Sequence, residues 1–258
     1  MPSRIALVRR PSPRLAEGLL THLDRRPVDY ATALHQWEAY VQALTDAQWE
    51  VREVPPAPDC PDSAFVEDTV VLFRNVAVVT RPGAPTRQPE TVDVEKVVAE
   101  LGCSVNAIRA PGTLDGGDVL KVGDTVYVGC GGRTNAEGVR QLRAALEPLG
   151  AHVVAVPTTK VLHLKSAVTA LPDGTVVGYP ETVDDPALYP AFLAVPEEPG
   201  SHVVLLGGGR LLMSAAAPRT AELFGRLGYE PVPVDIGEFE KLEGCVTCLS
   251  VRVRDLYA

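Results

Sequence analysis

The chain has 258 residues, of which 46% are hydrophobic and 22% charged, and its formal charge is −9. This composition is typical of a soluble globular protein, and no apolar run approaches the roughly 20 residues that a membrane span needs. The negative charge repels phosphate backbones, so neither a nucleic acid nor a membrane is an expected partner. The amino-terminal segment lacks the long apolar core of a signal peptide, and five irregularly spaced cysteines fit a reducing compartment. We therefore expect a cytoplasmic protein.

The first part of the chain predicts strand, helix, strand. Residues 5–8 read as a short buried strand, and residues 29–46 carry apolar side chains at helical spacing, which predicts an amphipathic helix. Residues 49–54 predict a second strand. The proline-rich segment 55–62 continues neither element, so it is expected to be an irregular loop.

From residue 70 onward, a unit of hairpin, helix and strand recurs. Its hairpins are predicted at 70–79, 119–128, 167–177 and 203–213 from paired β-rich runs around short turns. Helices are predicted at 90–101, 134–149, 186–193 and 218–227, and single strands at 105–108, 152–156 and 231–234. The first three copies start about 48 residues apart, a period that indicates a propeller-like or arrayed architecture.

The predicted architecture closes on itself. A strand predicted at 246–253 pairs with the amino-terminal strand, which brings the two ends of the chain together. Residues 1–258 are then expected to form a single α/β domain. An irregular α/β sandwich is the alternative fold.

The loops that precede the hairpins carry reactive side chains at equivalent positions. These are Asp62, Phe65, Glu67 and Asp68, then Asp115 and Asp118, then His163, and finally Cys248. Each group alone has an ordinary structural explanation, as a cap, a turn residue or a core thiol. Together they supply a nucleophile, an acid/base and a carboxylate that orients the imidazole.

The remaining charges in these loops indicate the kind of substrate. Several carboxylates in one cleft repel an anion and suit a guanidinium, which they hold by two-pronged hydrogen bonds. Two loop arginines, Arg81 and Arg133, are candidates to bind a carboxylate at the other end of the same molecule. The sequence therefore favours a small substrate with a planar cationic head.

Five motifs carry a resemblance to a known family. In order they are DSAFVEDTVVLFRNVAVVTRPGAP, TLDGGDVL, GGRTN, LHLKS and EGCVTCLSVRV. From Asp62 onward the chain resembles the dimethylarginine dimethylaminohydrolases of the guanidino-group modifying, or pentein, superfamily. The resemblance implies a five-bladed α/β propeller of ββαβ modules around a central active site. It also implies hydrolysis of asymmetric dimethylarginine or monomethylarginine to citrulline and an amine, with no organic cofactor.

The resemblance implies a role for each candidate residue. Cys248 attacks the guanidinium carbon to form a thiouronium, and His163 protonates the leaving amine and then activates water. Asp115, in preference to Asp118, supports His163. The residues implied to contact the substrate are Asp62, Phe65, Glu67, Asp68, Arg81, Arg133, Leu242 and Leu20.

Alternatives remain open at this point. Related arginine deiminases carry an aspartate where this chain has Lys165, which favours an alkylated substrate over free arginine. The other enzymatic interpretations are hydrolysis of another N-substituted arginine, such as N-hydroxyarginine, and amidino transfer; an arginine-binding scaffold is the non-enzymatic one.

The pair Cys245 and Cys248 forms a CxxC, but no redox role is expected because a β run follows it. Together with His163, this pair supplies three metal ligands at most, whereas a zinc site needs about four, so no metal is expected. The sequence does not indicate an oligomeric state.

Overall fold

The computed structural model describes residues 4–253 and contains five small sheets of three strands each. The predicted domain boundaries at residues 1 and 258 lie outside the described residues. The strands are β1 Ile5–Val8, β2 Glu50–Glu53, β3 Val70–Phe73, β4 Val76–Val79, β5 Ser104–Ala107, β6 Val119–Val122, β7 Thr125–Cys130, β8 His152–Pro157, β9 Val168–Ala170, β10 Val176–Gly178, β11 Phe192–Ala194, β12 Val203–Gly207, β13 Arg210–Ser214, β14 Glu230–Val234 and β15 Val251–Val253.

Helices connect the strands within and between modules. The α-helices are α1 Tyr30–Asp46, α2 Val92–Glu100, α3 Ala136–Leu146, α4 Leu164–Ala167, α5 Pro218–Arg226 and α6 Gly237–Glu240. The 3-10 helices are Leu15–Glu17, Val66–Thr69, Pro85–Thr91, Gly116–Asp118, Glu147–Leu149, Pro186–Leu188 and Glu198–Ser201. Within residues 4–253, no helix is both long and apolar enough to cross a bilayer.

Four of the five sheets are built in one way. In each, two antiparallel strands form a hairpin, and a third strand lies parallel to the second, in the orders β3-β4-β5, β6-β7-β8, β9-β10-β11 and β12-β13-β14. The fifth sheet, β15-β1-β2, joins the two ends of the chain, with Ile5 opposite Val253. The predicted five-module α/β propeller and its closing pair of strands are therefore confirmed.

Helix α1 shows how sequence and tertiary contacts position the last module. The Asp29 side chain accepts a hydrogen bond from the Thr32 amide and caps the helix, while Trp37 and Tyr40 lie buried on one face. The Tyr40 hydroxyl donates to the Val246 carbonyl at 2.9 Å. The helix thereby fixes the segment that leads to Cys248.

Close backbone approaches join neighbouring modules. Gly138 lies in the first turn of α3, where a β-carbon would collide with the carbonyl oxygen of Thr113. The cap residue Asn135 accepts hydrogen bonds from the amides of both Gly138 and Thr113. Helix α3 is thus seated directly against the backbone that leads into Asp115.

Two predicted elements are wrong in extent or kind. Residues 186–193 form no α-helix: a 3-10 turn at Pro186–Leu188 is followed by strand β11, because Pro190 has no amide proton to continue helical hydrogen bonding. The strand predicted at 246–253 is limited to Val251–Val253. Residues 246–249 are turns, so Cys248 lies in a turn ahead of the strand.

Candidate active site

The reactive side chains of the pre-hairpin loops are buried together at the centre of the five modules. Each exposes 7% or less of its surface: Asp62, Glu67, Asp68, Asp115, Asp118, His163 and Cys248. The first carboxylates come from the 3-10 turn before β3 and the next from the turn before β6. The histidine precedes α4 and the thiol precedes β15.

His163 lies between two carboxylates. Its Nε2 is 3.0 Å from Oδ2 of Asp115, and its Nδ1 is 3.9 Å from Oδ1 of Asp68. Burial alone lowers the pKa of His163, but the charges of Asp68, Asp115 and Asp118 outweigh it and raise that pKa to about 9. At neutral pH the ring is therefore an imidazolium that can donate a proton.

The two acids of the DGGD motif differ in their partners. Asp115 uses Oδ1 to accept a hydrogen bond from the Gly83 amide at 2.8 Å and Oδ2 to contact His163. Asp118 accepts from the Thr134 hydroxyl at 2.6 Å and from the Leu164 amide at 2.9 Å. Burial raises the pKa of Asp118 to about 6 despite these contacts. Asp115 is thus the acid that hydrogen-bonds the histidine, and Asp118 anchors the backbone beside it.

Glu67 connects the acidic cluster to the cysteine segment. Its amide donates to the Cys248 carbonyl at 3.1 Å. Its Oε1 pairs with Lys165 at 2.6 Å and with Arg252 at 2.8 Å, while its Oε2 is buried and has no hydrogen-bond partner among residues 4–253. Burying a carboxylate oxygen without a hydrogen-bond donor costs free energy, so a ligand that donates a hydrogen bond to this atom would be stabilised.

Arg87 is a member of the cluster that the sequence analysis missed. Its Nη1 pairs with Oδ2 of Asp68 at 2.6 Å, and its Nη2 pairs with Glu90 at 2.9 Å and donates to the carbonyls of Asp62 and Phe65. Burial raises the pKa of Asp68, but the charges of His163 and Arg87 hold that pKa well below its usual range. The only local signal was an Arg and a Glu three residues apart in a proline-rich loop.

Four of the residues expected to contact the substrate lie close together beside the acidic cluster. Asp62 accepts hydrogen bonds from the Leu19 amide at 3.0 and 3.2 Å. The ring of Phe65 packs edge-on against Phe239, and Leu242 is buried in the same hydrophobic cluster. Leu20 is partly buried against that cluster. The structure thus brings all four predicted residues to one wall of the site.

The two predicted carboxylate-binding arginines differ in position. Nη1 of Arg133 lies 3.6 Å from Oδ2 of Asp115 and is buried, and no described residue forms a hydrogen bond with it. In contrast, Arg81 donates to the backbone carbonyl of Gly112 at 3.2 Å. Arg133 therefore presents a free donor beside the acidic cluster, whereas the Arg81 side chain is used to fix a neighbouring loop.

Cys248 has a second thiol beside it. Its Sγ lies 3.2 Å from Sγ of Cys245, and the Cys248 amide donates to the Cys245 carbonyl. The hydrogen bond from Cys248 to Cys245 raises the pKa of Cys248 well above its ordinary value, and burial adds to the effect, as do the charges of Cys245, Glu67 and Asp68. Cys248 is therefore a neutral thiol at neutral pH.

One group of side chains has the composition of a metal site. Asp68, Asp115 and His163 offer ligand atoms within 4.8 Å of one another. A histidine must be neutral to bind a metal, however. These same carboxylates keep His163 protonated at neutral pH. The arrangement suits a proton donor better than a metal ligand.

Comparisons with known proteins agree with this arrangement. The family model for arginine deiminase matches residues 47–214. A dimethylarginine dimethylaminohydrolase of Streptomyces coelicolor is 72% identical over 100% of both chains, and one of Pseudomonas aeruginosa is 39% identical over 95% of this chain and 98% of its own.

Solved structures show the same fold. The Pseudomonas aeruginosa enzyme, a cysteine-to-serine mutant complexed with citrulline, superposes with a TM-score of 0.90 at 37% identity and covers 98% of this chain and 100% of its own. The N-terminal domain of a cyanobacterial arginine dihydrolase shares the fold at 19% identity, with a TM-score of 0.87 over 97% of this chain and 98% of its own. On this evidence the chain belongs to the dimethylarginine dimethylaminohydrolase family.

Proposed function

We propose that the protein hydrolyses N-omega-methylated arginine, either asymmetric dimethylarginine or monomethylarginine, to citrulline and dimethylamine or methylamine. One observation carries this conclusion: a thiol, Cys248, and an imidazolium, His163, share a buried site with carboxylates. The named activity of the relatives that share this fold supports it. The proposal includes one catalytic domain spanning residues 1–258, no cofactor and a cytoplasmic location, which five free thiols support.

The site has complementary groups for both ends of a methylated arginine. The substrate guanidinium donates to Oε2 of Glu67, the carboxylate oxygen that otherwise lacks a partner, and lies against Asp68. Asp62 binds the substrate amine, and Nη1 of Arg133 donates to the α-carboxylate. The wall of Phe65, Leu242 and Leu20 encloses the aliphatic chain. Binding thereby satisfies two buried polar atoms at once.

Substrate binding also activates the nucleophile. The cationic guanidinium offsets the negative charge of Glu67 and Asp68, which helps to keep the Cys248 thiol protonated in the free enzyme. The pKa of Cys248 therefore falls when substrate is bound, and the thiol releases its proton to solvent. The resulting thiolate attacks the guanidinium carbon. His163 transfers its proton to the departing dimethylamine nitrogen, the carbon–nitrogen bond breaks, and a thiouronium remains on Cys248.

The second half of the reaction uses the same histidine in its other protonation state. Neutral His163, oriented by Asp115, removes a proton from water as the oxygen attacks the thiouronium carbon. The carbon–sulfur bond then breaks, and citrulline leaves Cys248. A single imidazole thus serves first as acid and then as base.

A parallel assay of four substrates tests the proposed function. Citrulline release from asymmetric dimethylarginine, monomethylarginine, N-hydroxyarginine and arginine is measured with the wild-type protein and with Cys248→Ser. We expect release from the two methylated substrates, and none from the variant, because an alcohol there is a far weaker nucleophile. A preference for N-hydroxyarginine would keep the mechanism and change the substrate. Full activity of Cys248→Ser would disprove the covalent mechanism.

The protonation of His163 is directly measurable. We expect NMR titration of its ring, assigned by the signal missing in His163→Gly, to give a midpoint near pH 9. Since this folded-state pKa lies above the ordinary 6.5, the ion pairs stabilise the fold fully below pH 6.5, and this contribution is lost as pH rises through about 9. Asp115→Asn should lower the midpoint by about one pH unit.

The exposed Asp124→Asn provides the control for that titration. Its side chain is 70% exposed and pairs only with Arg74 among the described ion pairs, so its loss should leave the midpoint unchanged. An ordinary midpoint in the wild-type protein, or one insensitive to Asp115→Asn, would contradict the acid role assigned to His163.

The two arginines are distinguished by a truncated substrate. Arg133→Met should lower kcat/KM for asymmetric dimethylarginine by about 10- to 150-fold, the loss expected of a charged hydrogen bond worth about 1.5–3 kcal/mol. It should have little effect on the analogue in which hydrogen replaces the α-carboxylate. Arg81→Met is the matched control, and it should not discriminate between the two compounds. Equal losses on both substrates with Arg133→Met would remove that residue from the carboxylate site.

A further inference from the structure

The CxxC motif is not used by the proposed reaction, yet its two sulfurs lie in contact. The Cys248 amide donates to the Cys245 carbonyl at 3.1 Å, closing a four-residue turn, and the two Sγ atoms are 3.2 Å apart. Such a turn keeps its end Cα atoms within about 7 Å, close to the separation that a disulfide usually spans. The expectation of no redox role assumed that Cys248 began a strand, whereas the turn brings the thiols together. A bond between them needs little backbone movement.

A cavity beside the two thiols gives Cys245 access to small molecules. This cavity has a volume of about 230 Å³ and is lined by Cys245, His22, Leu162, His202, Glu240 and Glu243. A water molecule occupies roughly 30 Å³ in the liquid, so a molecule as small as hydrogen peroxide fits. Cys245 thus has a route of approach through a different group of side chains from those that hold the guanidinium.

The hydrogen bond between the two thiols makes Cys245 the more reactive one in the free enzyme. The hydrogen bond that the Cys248 thiol donates lowers the pKa of Cys245 to about 5, although burial opposes the effect, and the charge of His202 contributes in the same direction. The Thr247 hydroxyl is also within 3.3 Å of the Cys245 sulfur. Thiolates react with peroxides, and neutral thiols do so far more slowly.

We propose that Cys245 is a peroxide-reactive site that forms a reversible disulfide with the nucleophile Cys248. The Cys245 thiolate attacks one peroxide oxygen, the oxygen–oxygen bond breaks, and a sulfenic acid and hydroxide result. The Cys248 sulfur then attacks the sulfenic sulfur, the sulfur–oxygen bond breaks, and the released hydroxide takes up the Cys248 proton as water. The hydroxide from the first step takes up the proton that Cys245 lost on ionising. In total, two thiols are oxidised by two electrons, and one peroxide is reduced to two molecules of water.

The disulfide has two consequences for the enzyme. It removes the nucleophile from the reaction while it lasts, because a disulfide sulfur cannot attack a guanidinium carbon. It also protects Cys248 from the sulfinic and sulfonic states, which thiols do not reverse. A dithiol reductant restores both cysteines by thiol–disulfide exchange. The effect on activity rests on the proposed function, but bond formation does not.

The test treats wild-type, Cys245→Ser and Cys103→Ser proteins with hydrogen peroxide in the absence of substrate. Cys103, like Cys245, is a buried free thiol, so its variant is the matched control. Wild-type and Cys103→Ser proteins should each lose the mass of two hydrogens and two alkylatable thiols, and digestion should yield a peptide with Cys245 linked to Cys248. Citrulline release should be lost in parallel and should return fully with dithiothreitol.

Cys245→Ser should respond differently. It should show no loss of two hydrogens, should gain oxygen at Cys248 and should recover less activity with dithiothreitol. The proposal is overturned if the wild-type protein gains only oxygen, or if the link joins other cysteines. Peptide mapping of the wild-type protein keeps the test valid if the variant fails to fold. Because the mass change is read without any substrate, it stands apart from the outcome for methylarginine hydrolysis.

Discussion

The rest of the site depends on one constraint: its carboxylates must stay ionised although they are buried away from water. An unpaired carboxylate in such a place costs several kcal/mol, so each needs a cation or several donors. Arg87, Lys165, Arg252 and the protonated His163 supply the cations. Among residues 4–253, one oxygen of Glu67 has no hydrogen-bond partner. The site therefore suits a further cation with N–H donors. The same negative charge adds to the effect of the hydrogen bond to Cys245 and of burial, which keep the Cys248 thiol protonated.

The five-module architecture makes this concentration of charge achievable. Four of the five modules contribute side chains to the same site, so groups far apart in sequence lie close together in the fold. Glu67 and Arg252, for example, pair across 185 positions because β15 closes the ring against β1. Rigid strands on both sides of each loop hold the reacting groups at fixed distances, which catalysis by positioning requires. The strands thus fix the positions of the loops, and the loops carry the reacting side chains.

Local patterns were sufficient for the four hairpins but not for every strand or for the whole site. Hairpins are recognisable because turn residues and β-branched runs act locally. Cys248 was misplaced in a strand because its neighbours are strand formers, whereas the turn is held by distant partners, the Tyr40 hydroxyl and the Glu67 amide. Arg81 and Arg87 lie in the same proline-rich region, and only the packing of the 3-10 turn Pro85–Thr91 shows that Arg87 is the buried one. The contact between Cys245 and Cys248 likewise depends on the turn.

The central claim is that Cys248 carries the reaction covalently while His163 provides the proton. The most direct test is acid quenching followed by peptide mass mapping. With asymmetric dimethylarginine, the wild-type enzyme should carry, on Cys248, the mass of the substrate less dimethylamine. His163→Gly should form that adduct only from S-methyl-L-thiocitrulline, because methanethiolate leaves without receiving a proton from a general acid. An adduct on another residue, or turnover of dimethylarginine by His163→Gly at the wild-type rate, would contradict the account.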